Sequence, residues 1–68
     1  MKNISEVVDE EDMEPGALGS VMQKLIDLPI GGGEKVNLLQ AWAVSVGAKV
    51  SGSQYQRVYV SGDDTTPF

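Results

Sequence analysis

The stretch EKVNLLQAWAVSV, residues Glu34 to Val46, decides the fold because it is the longest apolar run and carries the only tryptophan. Its main apolar residues follow one another at spacings of three and four, which predicts a helix with one apolar face. These residues are Val36, Leu39, Trp42, Ala43 and Val46. Leu38, Ala41 and Val44 widen that face, so we expect the helix to need neighbours on two sides. In so short a chain, one of those neighbours can be another molecule.

The residues before this stretch predict a first helix over Ala17 to Leu28. Its apolar stripe, at spacings of three and four, is Leu18, Val21, Met22, Leu25 and Ile26. Pro29 ends the helix, because the residue before a proline is pushed out of the helical region. The three glycines at 31–33 then form a flexible link to the second helix.

The residues after Gly47 change in character and predict a β-hairpin. Ala48 to Ser51 and Tyr55 to Val60 alternate and are rich in β-branched or aromatic residues, with a turn at 51–54 between them. The predicted fold is therefore α+β, with two helices followed by a C-terminal hairpin. We expect its core to contain Leu25, Leu39, Trp42, Val46 and Val58.

The formal charge of −5 is spread unevenly along the 68 residues. Residues 1–15 carry six carboxylates against one lysine, and residues 63–68 carry two carboxylates. The middle, 16–62, has four cations against two carboxylates, a net charge of +2. We interpret this as a small domain at 16–62 with an extended acidic arm at 1–15 and an acidic tail at 63–68.

Composition excludes most catalytic chemistry. The chain has no cysteine and no histidine, and no serine has a lysine at the Ser-x-x-Lys spacing. We therefore expect no enzyme, no metal, no cofactor and no small-molecule substrate. The beginning of the chain lacks the apolar core of a signal peptide, and no run approaches the ~18 apolar residues of a membrane span. These features predict a cytoplasmic protein that does not enter a membrane.

The arms, the broad apolar helix and the absent reactive residues favour a non-catalytic accessory protein that docks on a larger assembly or forms a homo-oligomer. A virus or phage particle component, such as a capsid-stabilising or connector-associated subunit, is the most concrete form of this hypothesis. The predicted partner-binding residues are the apolar anchors and the acidic run: Ile4, Val7, Asp9, Glu10, Glu11, Asp12 and Phe68. An acidic arm of this kind suits a basic groove.

Two alternatives remain open. Leu39 to Gly47 resembles the first helix and turn of a helix-turn-helix, although the residues after Gly47 do not resemble a recognition helix. With the hairpin, that resemblance implies a winged-helix-like DNA- or RNA-binding regulator, whose contacts would be a basic and aromatic strand face. Its residues would be Lys49, Tyr55, Arg57 and Tyr59. The third hypothesis is an inhibitor whose acidic arm imitates nucleic-acid phosphates.

Overall fold

The computed structural model describes residues 4–62 of the chain, and in that range it forms helices and no strand. Three short 3-10 turns precede three α-helices. The turns are Ile4–Glu6, Glu10–Asp12 and Pro15–Ala17, and the α-helices are α1 (Leu18–Ile26), α2 (Gly32–Val46) and α3 (Gly52–Val60). The fold over these residues is therefore a three-helix domain with an N-terminal segment of 3-10 turns, and the predicted α+β class is wrong.

Helix α1 confirms the first predicted helix, with somewhat shorter bounds. A 3-10 turn with Pro15 at its start leads into it, and the chain leaves it before Pro29. Val21, Met22 and Leu25 are its buried residues, so the stripe read from the sequence faces the core.

Helix α2 is the central element and confirms the second predicted helix, but it begins at Gly32, so Gly32 and Gly33 belong to the helix and not to the predicted link. Trp42 and Leu39 are completely buried, and Leu38 and Ala43 are nearly so. The helix ends at Gly47, whose positive φ of 71° is a left-handed conformation that glycine adopts without steric cost. Val46, expected in the core, is only half-buried and packs at its margin.

The predicted hairpin does not form, because its residues start and continue a helix. Ser51 is the N-cap of α3, and its hydroxyl accepts a hydrogen bond from the Gln54 amide at 3.3 Å. The Gln54 side-chain carbonyl accepts in return from the Ser51 amide at 2.9 Å. This reciprocal pair is a capping box, which satisfies amides that the first helical turn leaves without partners. Val58 belongs to the core as expected, but it reaches it from a helix.

A buried lysine joins the ends of two helices. Lys35 lies in the first turn of α2 and is fully buried, although it is a lysine. Its ammonium donates to the backbone oxygen of Ile26 at 2.8 Å, and to the backbone and hydroxyl oxygens of Ser61 at 3.0 and 3.2 Å. Ile26 is the last residue of α1 and Ser61 is the C-cap of α3. The cation therefore lies where two helix dipoles place partial negative charge.

Helix α3 runs back along α2. A Cβ atom on Gly32, at the start of α2, would lie 2.1 Å from the backbone oxygen of Tyr59, near the end of α3. A Cβ atom on Gly62 would lie 2.1 Å from the Gly32 nitrogen. The chain therefore turns back at Gly47 and runs beside α2 as far as its beginning. Helix α2 itself is about 22 Å long at 1.5 Å per residue. The second helix of a helix-turn-helix instead leaves the first at roughly 90–120°.

Replacing Gly32 by alanine tests this close backbone approach. We expect Gly32→Ala to lower the free energy of unfolding by about 1–3 kcal/mol, because the Tyr59 carbonyl cannot move without shifting α3. Gly19→Ala is the matched control inside α1, where an added Cβ meets nothing within 4 Å. It should raise the free energy by about 0.5–1 kcal/mol. Urea unfolding followed by Trp42 fluorescence measures both variants, and equal effects would contradict the antiparallel packing.

Candidate interaction surfaces

The N-terminal segment packs on the domain's own core. Val8 is 7% exposed, and Ile4 and Val7 are half-buried against the core cluster. Two of the apolar anchors predicted for a partner therefore contact this molecule. Whether they also meet a partner stays a prediction, and Phe68 lies outside the described residues.

Asp12 connects that segment to α1 and to α2. Its backbone oxygen accepts a hydrogen bond from the Trp42 indole nitrogen at 2.7 Å, deep in the core. Its carboxylate pairs with the Lys24 ammonium of α1 and accepts from the Asp9 amide at 3.2 Å. The hydrogen bond from Lys24 holds the pKa of the Asp12 carboxyl below its ordinary value, and the same bond raises the pKa of Lys24. Asp12 thus acts within the fold.

The other acids of this run face solvent, and residues 9–14 are called the acidic segment below. Its exposed carboxylates are Asp9, Glu10, Glu11 and Glu14. Asp9 lies 3.6 Å from the Lys24 ammonium, with 82% of its side chain exposed. Within residues 4–62, Glu10 and Glu11 pair with no cation. Met13, in the same segment, is 42% exposed. The segment therefore presents negative charge beside an apolar side chain.

A groove of about 410 Å³ lies between α1 and the beginning of α3. Leu18, Gly19 and Met22 line it from α1, and Ser53, Gln54 and Arg57 line it from α3. Arg57 is exposed and pairs with no carboxylate in the part of the chain that the structure describes. The groove, called the Arg57 groove below, thus combines apolar side chains, polar side chains and one unpaired positive charge.

The four residues predicted for nucleic-acid contact do not share one face. The strand that would have aligned Tyr55, Arg57 and Tyr59 is a helix, in which Arg57 lies about 160° around the axis from either tyrosine. Tyr55 packs against the core cluster, and Tyr59 lies against Gly32. Lys49, in the turn before α3, is exposed. The predicted basic and aromatic strand face does not form, and nucleic-acid binding itself stays a prediction.

The outer face of α2 is an exposed stripe without charge. Its members recur at the spacings of one helix face and are Asn37, Gln40, Ala41, Val44 and Ser45. Val44, near its end, is 76% exposed, the highest exposure among the large hydrophobic residues described. Of the three residues that widened the predicted apolar face, Leu38 is buried, while Ala41 and Val44 lie on this stripe.

The described residues hold no group of three or more side chains suited to bind a metal ion. In the same range, no helix combines the length and the apolar character needed to cross a membrane. Comparison with protein-family models, with curated proteins and with solved structures gives no match to this chain.

The sequence carried a partial signal for these surfaces. The excess apolar width of α2 predicted neighbours on two sides, and of the residues that widen it the structure leaves Ala41 and Val44 exposed. The Arg57 groove was missed because it requires α3 to be a helix. The spacing Ser51-x-x-Gln54, a capping-box signature, could have indicated that helix.

Asp12→Asn tests the link between the acidic segment and α1, since it removes the carboxylate and keeps the backbone bond to Trp42. Because the folded-state pKa of Asp12 is lowered, its carboxylate stabilises the fold fully above the ordinary value of 3.8. That contribution disappears as the pH falls from there through the folded-state value. Wild type should therefore be more stable than Asp12→Asn at neutral pH, and the difference should vanish in acid. The urea concentration at half-unfolding, measured across pH for both proteins, gives this difference in stability. Glu10→Gln, at an exposed carboxylate, is the control. A stability difference between wild type and Asp12→Asn that does not change with pH would contradict the role given to the Asp12 carboxylate.

Proposed function

We propose that this protein is a non-catalytic subunit that docks on a larger protein assembly through the outer face of α2. One observation carries the proposal: the outer stripe of α2 is exposed and uncharged, and it includes a valine that is 76% exposed. The centres of protein–protein interfaces are depleted of charge in the same way. Solvent-facing helix surfaces usually carry interspersed charges instead.

The position of α2 supports the same proposal. Its opposite side is occupied by α1, α3 and the N-terminal segment, and it contains Leu39 and Trp42. The outer stripe therefore has no neighbour among the described residues, and its small side chains at Ala41 and Ser45 would allow a partner's backbone to approach closely. The partner surface that fits is another protein face of low charge with an apolar centre.

The acidic segment offers a second, electrostatic contact for such an assembly. Its exposed carboxylates suit a basic surface, and attraction of this kind mainly accelerates association and fixes orientation. A virus particle is the setting proposed from the chain's size, its acidic ends and its lack of reactive side chains. The nucleic-acid regulator remains the competing proposal, supported by Lys49 and Arg57, which are exposed and unpaired within residues 4–62. The acid-mimic inhibitor stands third, supported by the exposed Glu10 and Glu11.

Charge placed in the outer stripe tests the proposal. The protein is isolated from its natural source as wild type and as Val44→Lys, and the mass of the particle carrying it is measured by light scattering. We expect wild type to travel with a stoichiometric protein partner. Val44→Lys should lose that partner, because a buried and unpaired ammonium destabilises an interface. Gln56→Lys, an exposed change on α3, is the matched control and should keep the partner.

Three outcomes would contradict this function. Wild type could be free of any protein partner, Val44→Lys could retain the partner as well as wild type does, or nucleic acid could co-purify in its place. The last outcome would favour the regulator, and salt-dependent binding reduced by Arg57→Gln would identify its contact. Circular dichroism of each variant first establishes that the helices are intact.

A further inference from the structure

The acidic segment and the Arg57 groove lie on opposite sides of α1. The ion pairs of Asp9 and Asp12 with Lys24 hold the acidic segment on the Lys24 side of the helix. The groove uses the side of α1 that carries Leu18 and Met22. At about 100° per residue, the shorter angle around the helix from Lys24 is about 160° to Met22 and about 120° to Leu18.

The acidic segment and the Arg57 groove are complementary in charge, and both carry apolar side chains. In the described chain, Glu10 and Glu11 have no cation, and Arg57 has no carboxylate. Met13 stands 42% exposed beside the acids, and the half-buried Leu18, with the small exposed part of Met22, provides apolar surface in the groove beside Arg57. Because α1 separates the two surfaces, the folded segment cannot reach the groove of its own molecule.

We propose that a second copy of this chain fills the Arg57 groove with its acidic segment. Met13 of one copy would lie on Leu18 and Met22 of the next, and Glu10 or Glu11 would pair with Arg57. The two halves of this contact differ, so each bound copy leaves one free groove and one free segment. Such a head-to-tail contact builds a chain of copies, or a ring if the rotation between neighbours closes.

This inference goes beyond the proposed docking function and does not depend on it. The outer face of α2 takes no part in the contact, so a copy in the chain keeps that face free for a different partner. The acidic segment can meet only one of the two surfaces at a time, so its proposed contact with an assembly competes with this one, whereas docking through the outer face of α2 does not. The contact is partly electrostatic between exposed groups, and we therefore expect it to weaken as ionic strength rises.

Complementary charge reversal tests the contact on the full chain. Sedimentation velocity over a range of concentrations should show wild type associating at low salt and less so at high salt. Arg57→Glu alone, and Glu10→Lys with Glu11→Lys in one chain, should each weaken self-association at least about tenfold, because like charges then face each other. An equimolar mixture of the two variants should associate again, since each then offers the complement of the other. Lys49→Glu makes the same charge change as Arg57→Glu outside the groove and should associate like wild type.

The proposal is overturned if wild type is a monomer at every concentration and salt tested. It is equally overturned if Arg57→Glu associates as wild type does, or if the mixture of the two variants fails to restore association. Trp42 fluorescence and circular dichroism establish beforehand that each variant is folded, so that a loss of association reports on the contact.

Discussion

The three-helix arrangement depends on the ammonium group of Lys35. Burying a charged group away from water costs free energy unless the group is paired or fully hydrogen-bonded. Here it donates to three oxygens, one at the end of α1 and two at the end of α3. Helix ends leave carbonyl groups without partners, and a cation there also meets the negative ends of the helix dipoles. One side chain of α2 thereby holds the ends of the two neighbouring helices in place, in a chain without disulfides.

That arrangement decides which surfaces remain for partners. Lys35 connects α1 and α3 at the beginning of α2, and the bond between Asp12 and Trp42 holds the N-terminal segment against the same helix. The inner side of α2 is therefore fully occupied. The uncharged outer stripe is what α2 leaves outward. The same packing places α1 between the acidic segment and the Arg57 groove, so two complementary surfaces face away from each other. The proposed partner docking and the proposed head-to-tail contact thus result from one packing arrangement.

The sequence predicted the parts of this structure that depend on local periodicity. The stripe of α1 was read correctly and that of α2 in part, since Val36 and Val46 are only partly buried. Leu25, Leu39, Trp42 and Val58 are completely buried as expected. The third element was misread because YQRVYV alternates and favours strands, whereas the capping box before it and the spacing of its core contacts favour a helix. Long-range contacts left no local signal: Asp12 was expected to meet a partner, Lys35 was not singled out, and only their distant contacts within this chain explain their burial. The acidic run was interpreted as an extended arm. In the structure it forms a 3-10 turn held by contacts of Asp12 with Lys24 and Trp42, and these contacts cannot be read from neighbouring residues.

The most direct test of this account is the free energy of unfolding of Lys35→Met, measured by urea denaturation with Trp42 fluorescence. Methionine keeps a long apolar stem but leaves the oxygens of Ile26 and Ser61 without their donor. We predict a loss of about 2–3 kcal/mol, while Lys49→Met, the same change at an exposed lysine, should stay within about 0.5 kcal/mol of wild type. A Lys35→Met variant as stable as wild type would contradict the claim that this ammonium holds the three helices together.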